Sequence, residues 1–180
     1  MSINEEIKRE RLKKSVRNIP NFPAPGIQFK DLTTLFKDVE CLQMLSDMMY
    51  EIYKDKRITK VIGIESRGFI MGSILATRLN TGFIPIRKPG KLPAEVIEEH
   101  YNKEYGTDCI QIHKDSIDEN DIVLLHDDLL ATGGTMKAAC SMLNKLKPKK
   151  IYVNFIVELE ELKGRNIFDK DIEIESILKL

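Results

Sequence analysis

The strongest constraint on the fold of this chain is an alternation: short apolar runs, each too brief for a helix of its own, are separated by stretches of helical periodicity. Val61-Ile62-Gly63-Ile64 ends at Glu65-Ser66-Arg67-Gly68, after which apolar residues recur at helical spacing from Phe69 to Leu79. Residues 81 to 86 form a second run. Ile122 to Leu125 forms a third, followed by a turn with two acids and two glycines and by a helix from about Thr135 to Leu146. Ile151 to Val157 and Ile172 to Ile177 supply a fourth and a fifth strand. Strands that alternate with helices need crossover connections, which predicts an α/β fold: a parallel, Rossmann-like sheet flanked by helices on both faces. Ligands of such sheets lie beyond the carboxyl ends of the strands, where the turns at 65 to 68 and 127 to 135 are expected.

Outside this alternation, Ile3, Ile7, Leu12 and Val16 are spaced for a short amphipathic helix before Pro20, and residues 38 to 54 read as another helix. Pro20-Asn21-Phe22-Pro23-Ala24-Pro25-Gly26 excludes regular helix and predicts an ordered, extended loop. Arg87 to Lys103 is polar and carries Pro89-Gly90-Lys91-Leu92-Pro93. No periodicity organises it, and so long an irregular stretch in a compact domain is usually functional or mobile. Asp108 to His113 is a candidate strand of the same excursion.

A chain of 180 residues, 42% of them hydrophobic, can bury roughly 70% of its unfolded surface around one core, so a single domain over 1–180 is expected. Lys plus Arg and Asp plus Glu are both 28, which lacks the basic excess that drives nucleic-acid binding. Cys41, Cys109 and Cys140 are odd in number and far apart, fitting neither a disulfide framework nor a zinc site and pointing to a reducing cytoplasm. No window approaches the roughly 18 uninterrupted apolar residues of a membrane span. There is no internal repeat or low-complexity linker.

The segment His126-Asp127-Asp128-Leu129-Leu130-Ala131-Thr132-Gly133-Gly134-Thr135 carries the most chemistry. A phosphate monoester needs several donors aimed at one point, and a glycine turn opening a helix supplies backbone N–H groups reinforced by the helix dipole. Ala131 to Thr135 has that form. Gly133 and Gly134 let the backbone approach, and Thr132 and Thr135 add hydroxyl donors. No Lys-Ser or Lys-Thr pair follows, so this is not a Walker A loop. Adjacent carboxylates at a strand end repel each other and lose hydration, so Asp127 and Asp128 need donors or a cation close by. A ribose diol offers the donors, and magnesium on a sugar diphosphate offers the charge. The competing structural reading is a capped helix with Asp128 or Thr132 at its start. Acids followed by the cradle describe a phosphorylated ribose.

The whole segment resembles the phosphoribosyl pyrophosphate (PRPP) signature of type I phosphoribosyltransferases, and its Leu-Leu-Ala-Thr-Gly-Gly-Thr form is similar to that of the adenine-specific members. Residues 22 to 31, 63 to 69, 87 to 93 and 104 to 108 resemble the same family's pattern in order and spacing. The resemblance implies that Asp127 and Asp128 hold the ribose diol and Ala131, Thr132, Gly133, Gly134 and Thr135 the 5-phosphate. It implies a pyrophosphate loop at Glu65, Ser66, Arg67 and Gly68, often with a cis non-proline peptide, with Arg67 as counter-charge and Arg87, Lys88 and Lys91 near the leaving group. It assigns residues 1–35 to an N-terminal helix and base-binding hood, with Gln28, Phe29 and Lys30 reading the purine and Leu159 facing it. Residues 87–108 correspond to a flexible loop in which Tyr101 and Tyr105 cover the site and Glu104 handles a proton at the purine. By the same resemblance Mg2+ arrives with PRPP, and a homodimer is expected.

The implied reaction is transfer of the 5-phosphoribosyl group from PRPP to N9 of adenine, giving AMP and pyrophosphate, with Glu104 and Arg67 as the catalytic pair. A xanthine or hypoxanthine-guanine transferase and a non-catalytic PRPP-sensing regulator are the alternatives. His100 stands where the family commonly has a small residue. His113 and His126 read as structural, and the three histidines form no ligand cluster at standard metal spacing.

Overall fold

In a computed structural model, residues 3–102 and 106–180 are described. The chain runs α1 (Ile3–Ser15), β1 (Arg17–Pro20), β2 (Gln28–Asp31), α2 (Thr33–Phe36), α3 (Val39–Tyr53), β3 (Lys60–Ile64), α4 (Gly68–Arg78), β4 (Gly82–Ile86) and β5 (Val96–Asn102). It continues β6 (Thr107–His113), β7 (Ile122–Leu130), α5 (Gly134–Leu146), β8 (Lys150–Glu158), two short 3-10 turns (Glu160–Leu162 and Gly164–Ile167) and β9 (Glu173–Lys179). The five expected strands form one parallel sheet in the order β4-β3-β7-β8-β9. The α/β architecture read from the alternation is the one found.

Because successive strand side chains point to opposite faces, the apolar runs feed two cores. Ile62, Val123, Leu125, Val153 and Phe155 pack on one face with Met136, Ala139, Met142 and Leu143 of α5. Val61, Leu124 and Ile177 pack on the other with Leu45, Met49 and Tyr53 of α3 and Met71 and Leu75 of α4. At roughly 1.5 to 3 kcal/mol for each large apolar side chain buried, these layers hold the sheet rigidly enough to fix the loops at its carboxyl edge. Asp38 caps α3, its carboxylate accepting from Glu40 and Cys41 backbone N–H groups at 3.0 and 3.1 Å.

Three segments differ from the sequence expectation. The first helix ends at Ser15, before the Val16 that its spacing included, because Arg17 to Pro20 leaves it to pair antiparallel with Gln28 to Asp31. The third sheet strand continues from Leu125 to Leu130, straight through the two acids. The stretch after Arg87 is partly a ribbon: β5 pairs antiparallel with β6 from Val96 opposite His113 to Asn102 opposite Thr107. Its apolar positions Ile97, Ile110 and Ile112 turn towards the α5 core.

Candidate active site

The carboxyl ends of β3 and β7 and the start of α5 meet at one edge of the sheet. Asp127 and Asp128 are the last-but-three and last-but-two residues of β7, held there by the ladder to β8 that runs on to Leu130 opposite Glu158. Asp128 is 3% exposed. Burial raises the carboxyl of Asp127 well above its usual range, and the neighbouring charge of Asp128 adds to the effect. Asp128 is raised by burial as well, against the pull of Arg67. The sole protein cation drawn into an ion pair with Asp128 among the described residues is Arg67, its Nε 2.6 Å from Oδ2. That approach is not aligned as a hydrogen bond, and Oδ2 is left buried without a proper donor. Asp127 Oδ1 accepts from the backbone N–H of Asp128 at 2.9 Å. The pair, Asp128 buried and Asp127 half-buried, is therefore an incompletely satisfied acceptor site, of the sort that diol hydroxyls or a cation complete.

Arg67 is brought there by a close fit of backbones. It sits at the N-cap of α4, and the next residue, Gly68, packs so tightly on β7 that a Cβ would lie 2.8 Å from the His126 carbonyl oxygen and 3.2 Å from Asp127 Oδ1. The Glu65–Ser66 peptide that leads into this turn is cis. Ser66 is exposed on the loop. The guanidinium of Arg67 lies 5.7 Å from the centroid of Phe29, which joins the β1–β2 pair to the acidic residues. Phe29 in turn meets Phe22 edge-on at 5.1 Å. Gln28 is exposed, its Oε1 accepting from Asn18 Nδ2 at 2.8 Å, and Lys30 is half-buried on the same strand.

The β1–β2 pair is anchored by a residue that the sequence pattern did not single out. Buried Asp31 pairs with Arg17 and accepts from the Thr33 backbone and hydroxyl at 2.9 and 2.7 Å. The Arg17 and Thr33 donors draw its carboxyl down to about 2. An acid at the end of a short, mostly polar strand, two residues before a threonine, is a weak signal, and only the pairing of β1 with β2 identifies its partner.

Beyond Leu130 the chain turns through half-buried Ala131 and exposed Thr132 into α5. Gly133 occupies the N-cap with φ +86°, a conformation side chains disfavour. Gly134 and Thr135 open the helix, so its unpaired N–H groups and positive dipole end face the same edge as the acids. Thr135 Oγ1 donates to the Tyr101 hydroxyl at 3.2 Å, tying the β5–β6 ribbon to the turn. Tyr101 also meets Asp108 Oδ2 at 3.1 Å, and Lys88 Nζ meets the same oxygen at 2.6 Å. Glu104 and Tyr105 lie outside the described residues.

Two members of the cluster expected around the diphosphate are spent on each other. Glu65 accepts from Arg87 Nε at 3.0 Å and from the Lys88 backbone N–H at 2.8 Å, and these donors hold its carboxyl below the usual range. Arg87 also lies over the Phe69 ring. Its charge thus locks the loops after β3 and β4 together. Lys91 is exposed in the following turn. Leu159, half-buried just after β8, donates its N–H to Leu130 O at 2.9 Å and packs on the second core.

His126 is buried completely one residue before the acids. Its Nδ1 lies 2.9 Å from Asn154 Oδ1, and Asn154 Nδ2 donates to Glu175 O at 3.4 Å, so the side chain spans β7 to β9. Burial lowers its pKa to about 4, leaving a neutral ring beneath the site. Glu98, His100 and Cys109 bring ligand atoms within 4.8 Å of one another on the ribbon, a proximity the sequence spacing did not suggest. A contact of Glu98 with His100 Nε2 at 3.2 Å and a hydrogen bond from Gln111 Nε2 at 2.9 Å account for the carboxylate.

The chain is similar along almost its whole length to known proteins. The phosphoribosyl transferase domain model matches residues 32–172. The adenine phosphoribosyltransferase of Bacteroides thetaiotaomicron is 73% identical over 172 residues, covering 96% of this chain and 98% of the relative. The crystal structure of adenine phosphoribosyltransferase from Rhodothermus marinus superposes with a TM-score of 0.92 at 42% identity, covering 97% of this chain and 99% of that one. The Saccharomyces cerevisiae enzyme, solved with an imino-altritol bisphosphate and adenine, gives 0.89 at 36% identity over 96% and 99% of the two chains. The matching domain model, together with a sequence and a sheet shared almost end to end with these proteins, places the chain in the phosphoribosyl transferase domain family, among the adenine phosphoribosyltransferases.

Proposed function

We propose that the protein transfers the 5-phosphoribosyl group of PRPP to N9 of adenine, giving AMP and pyrophosphate in purine salvage. The observation that carries the reading is the acid pair Asp127 and Asp128, with the buried Asp128 Oδ2 left unsatisfied, set beside the N-terminus of α5. Acids that need donors, next to a helix end that needs an anion, fit a ribose 5-phosphate. The 5-phosphate would sit on the N–H groups and hydroxyls of residues 131 to 135, and the diol on the two carboxylates. Arg67, now paired with Asp128, would turn its charge to the diphosphate, a role its contact with the acid pair supports. Lys88 and Lys91 stand further out along the path of the leaving group.

Magnesium fits the acid pair for the same electrostatic reason, and when bound it would supply positive charge to the departing diphosphate. The N9–C1′ bond forms as the bond from C1′ to the diphosphate oxygen breaks, and adenine gives up its proton. Glu104 is the family's candidate to receive it. Phe29 offers an aromatic face above Arg67, with Gln28 and Lys30 offering main-chain groups from β2 to the purine edge. The protein's part in the chemistry is then positioning, exclusion of water and stabilisation of leaving charge. Action in the cytoplasm as a homodimer completes the proposal. The named adenine enzymes among the relatives weigh against an oxopurine transferase or a PRPP-sensing regulator.

The test is a steady-state assay with PRPP, magnesium and adenine, hypoxanthine, guanine or xanthine in separate reactions. AMP formation with adenine alone is the expected result. Preference for an oxopurine, or PRPP binding without turnover of any base, would overturn the assignment.

A further inference from the structure

The turn proposed to hold the 5-phosphate has almost no side chains with which to fix its own shape. Ala131, Gly133 and Gly134 offer one methyl among them, yet the donors must converge on a point. What lies under the turn is the short segment after β8. Gly164 is buried, and a Cβ built on it would overlap the carbonyl oxygen of Ala131 and stand 3.1 Å from Leu130 Cδ1. From the other side, a Cβ on Gly133 would lie 2.8 Å from the Gly164 carbonyl oxygen, 3.0 Å from Ile167 Cδ1 and 3.1 Å from Phe168 Cε2. The two glycines meet backbone to backbone.

That segment is itself pinned. Arg165 forks onto Glu158 at the end of β8, Nε at 3.0 Å and Nη2 at 2.6 Å, while its Nη1 donates to Ile174 O at 2.7 Å. Glu158 is 6% exposed, so the pair is shielded and its two-pronged geometry is directional. Lys137 of α5 donates to Ile167 O at 2.6 Å, closing the segment against the helix that the turn opens.

We propose that Gly164 is a positioning residue for phosphate binding: held by the Glu158–Arg165 pair, it sets the height of the Ala131 carbonyl and with it the aim of the turn's N–H groups. This rests on the reading of residues 131 to 135 as the 5-phosphate cradle. The atom that a methyl at 164 overlaps is backbone, the Ala131 carbonyl oxygen, which has no flexible side chain to swing aside, and a misplacement of about 1 Å in a positioned site can cost on the order of 100-fold.

The test measures dissociation constants for AMP and adenosine by calorimetry, with KM values for PRPP and adenine, in the wild type, Gly164→Ala and Arg165→Lys. In Gly164→Ala, AMP should weaken by on the order of 10- to 100-fold and the KM for PRPP should rise in parallel, while adenosine affinity and the KM for adenine stay within about twofold. Arg165→Lys keeps the charge and loses the fork, and a smaller loss of the same selectivity is expected. If Gly164→Ala does not fold, Arg165→Lys decides alone. Equal weakening of AMP and adenosine, or no change in either, overturns the proposal. A wild type that binds AMP no better than adenosine overturns the cradle reading first, and the proposal with it.

Discussion

His126 provides a direct check on the electrostatics beneath the site. The amide of Asn154 is oriented by its bond to Glu175 O, so its Oδ1 faces His126 and Nδ1 must carry the ring proton. Nε2 is then a bare lone pair in a buried position without a partner. Protonating it would place a charge in the core, which is why the folded pKa is about 4 against an ordinary 6.5. The unfolded chain therefore binds the extra proton between those two values. The stability tied to a neutral ring is complete above pH 6.5 and is lost as the pH falls towards 4. At about 1.4 kcal/mol per pH unit, that gap corresponds to about 3 kcal/mol. Asp127 and Asp128 act in the opposite sense. Their raised pKa values mean that the folded state holds protons longer, and the corresponding stability declines as pH rises through those values. A His126→Gln variant keeps the acid pair, so the difference between the two proteins isolates the imidazole. Urea unfolding followed by far-UV circular dichroism between pH 4 and 7.5 should show the wild type losing about 3 kcal/mol relative to the variant on acidification. A difference that is flat with pH, or a wild type that gains on the variant in acid, would refute the account of His126 as a neutral, desolvated ring.

Other consequences concern the acids, the close approach at Gly68 and the thiols. Asp127→Asn/Asp128→Asn removes two mutually repelling buried carboxylates, so thermal unfolding should occur no lower than in the wild type while AMP synthesis falls by on the order of 100-fold or more; a lower midpoint would show that the pair stabilises the empty fold. Gly68→Ala must push α4 away from the His126 carbonyl, at a cost of about 1 to 3 kcal/mol by urea titration together with loss of turnover as Arg67 shifts; an unchanged stability would mean the helix has slack there. Cys41, Cys109 and Cys140 are all buried, and burial pushes the Cys140 thiol up to about 12. Iodoacetamide at pH 8 should label the native protein slowly and the urea-unfolded chain at all three thiols, as read by intact mass.

The alternation of apolar runs with helical stretches already determined the layered sheet, because burial on two faces dictates both the composition of a parallel strand and the helix that must follow it. The acid pair and the glycine turn were legible for a related reason: positive φ, helix-end donors and adjacent carboxylates are local properties of a few consecutive residues. Where β7 ends was not local. Asp127 and Asp128 break the apolar pattern that marks a strand, and it is the ladder to β8 that carries the strand on to Leu130. Of the β5–β6 ribbon, β6 was legible as the strand at Asp108 to His113, whereas β5 was hidden, since Glu98, Glu99 and His100 mask the alternation that its cross-strand partners restore. Contacts across long sequence separations left no trace in the chain: Phe29 against Arg67, Glu65 spent on Arg87, and Gly164 beneath Ala131. Each is decided by which loops the sheet order brings to one edge, and a residue's type records what it can bond to but not which distant partner the packing delivers.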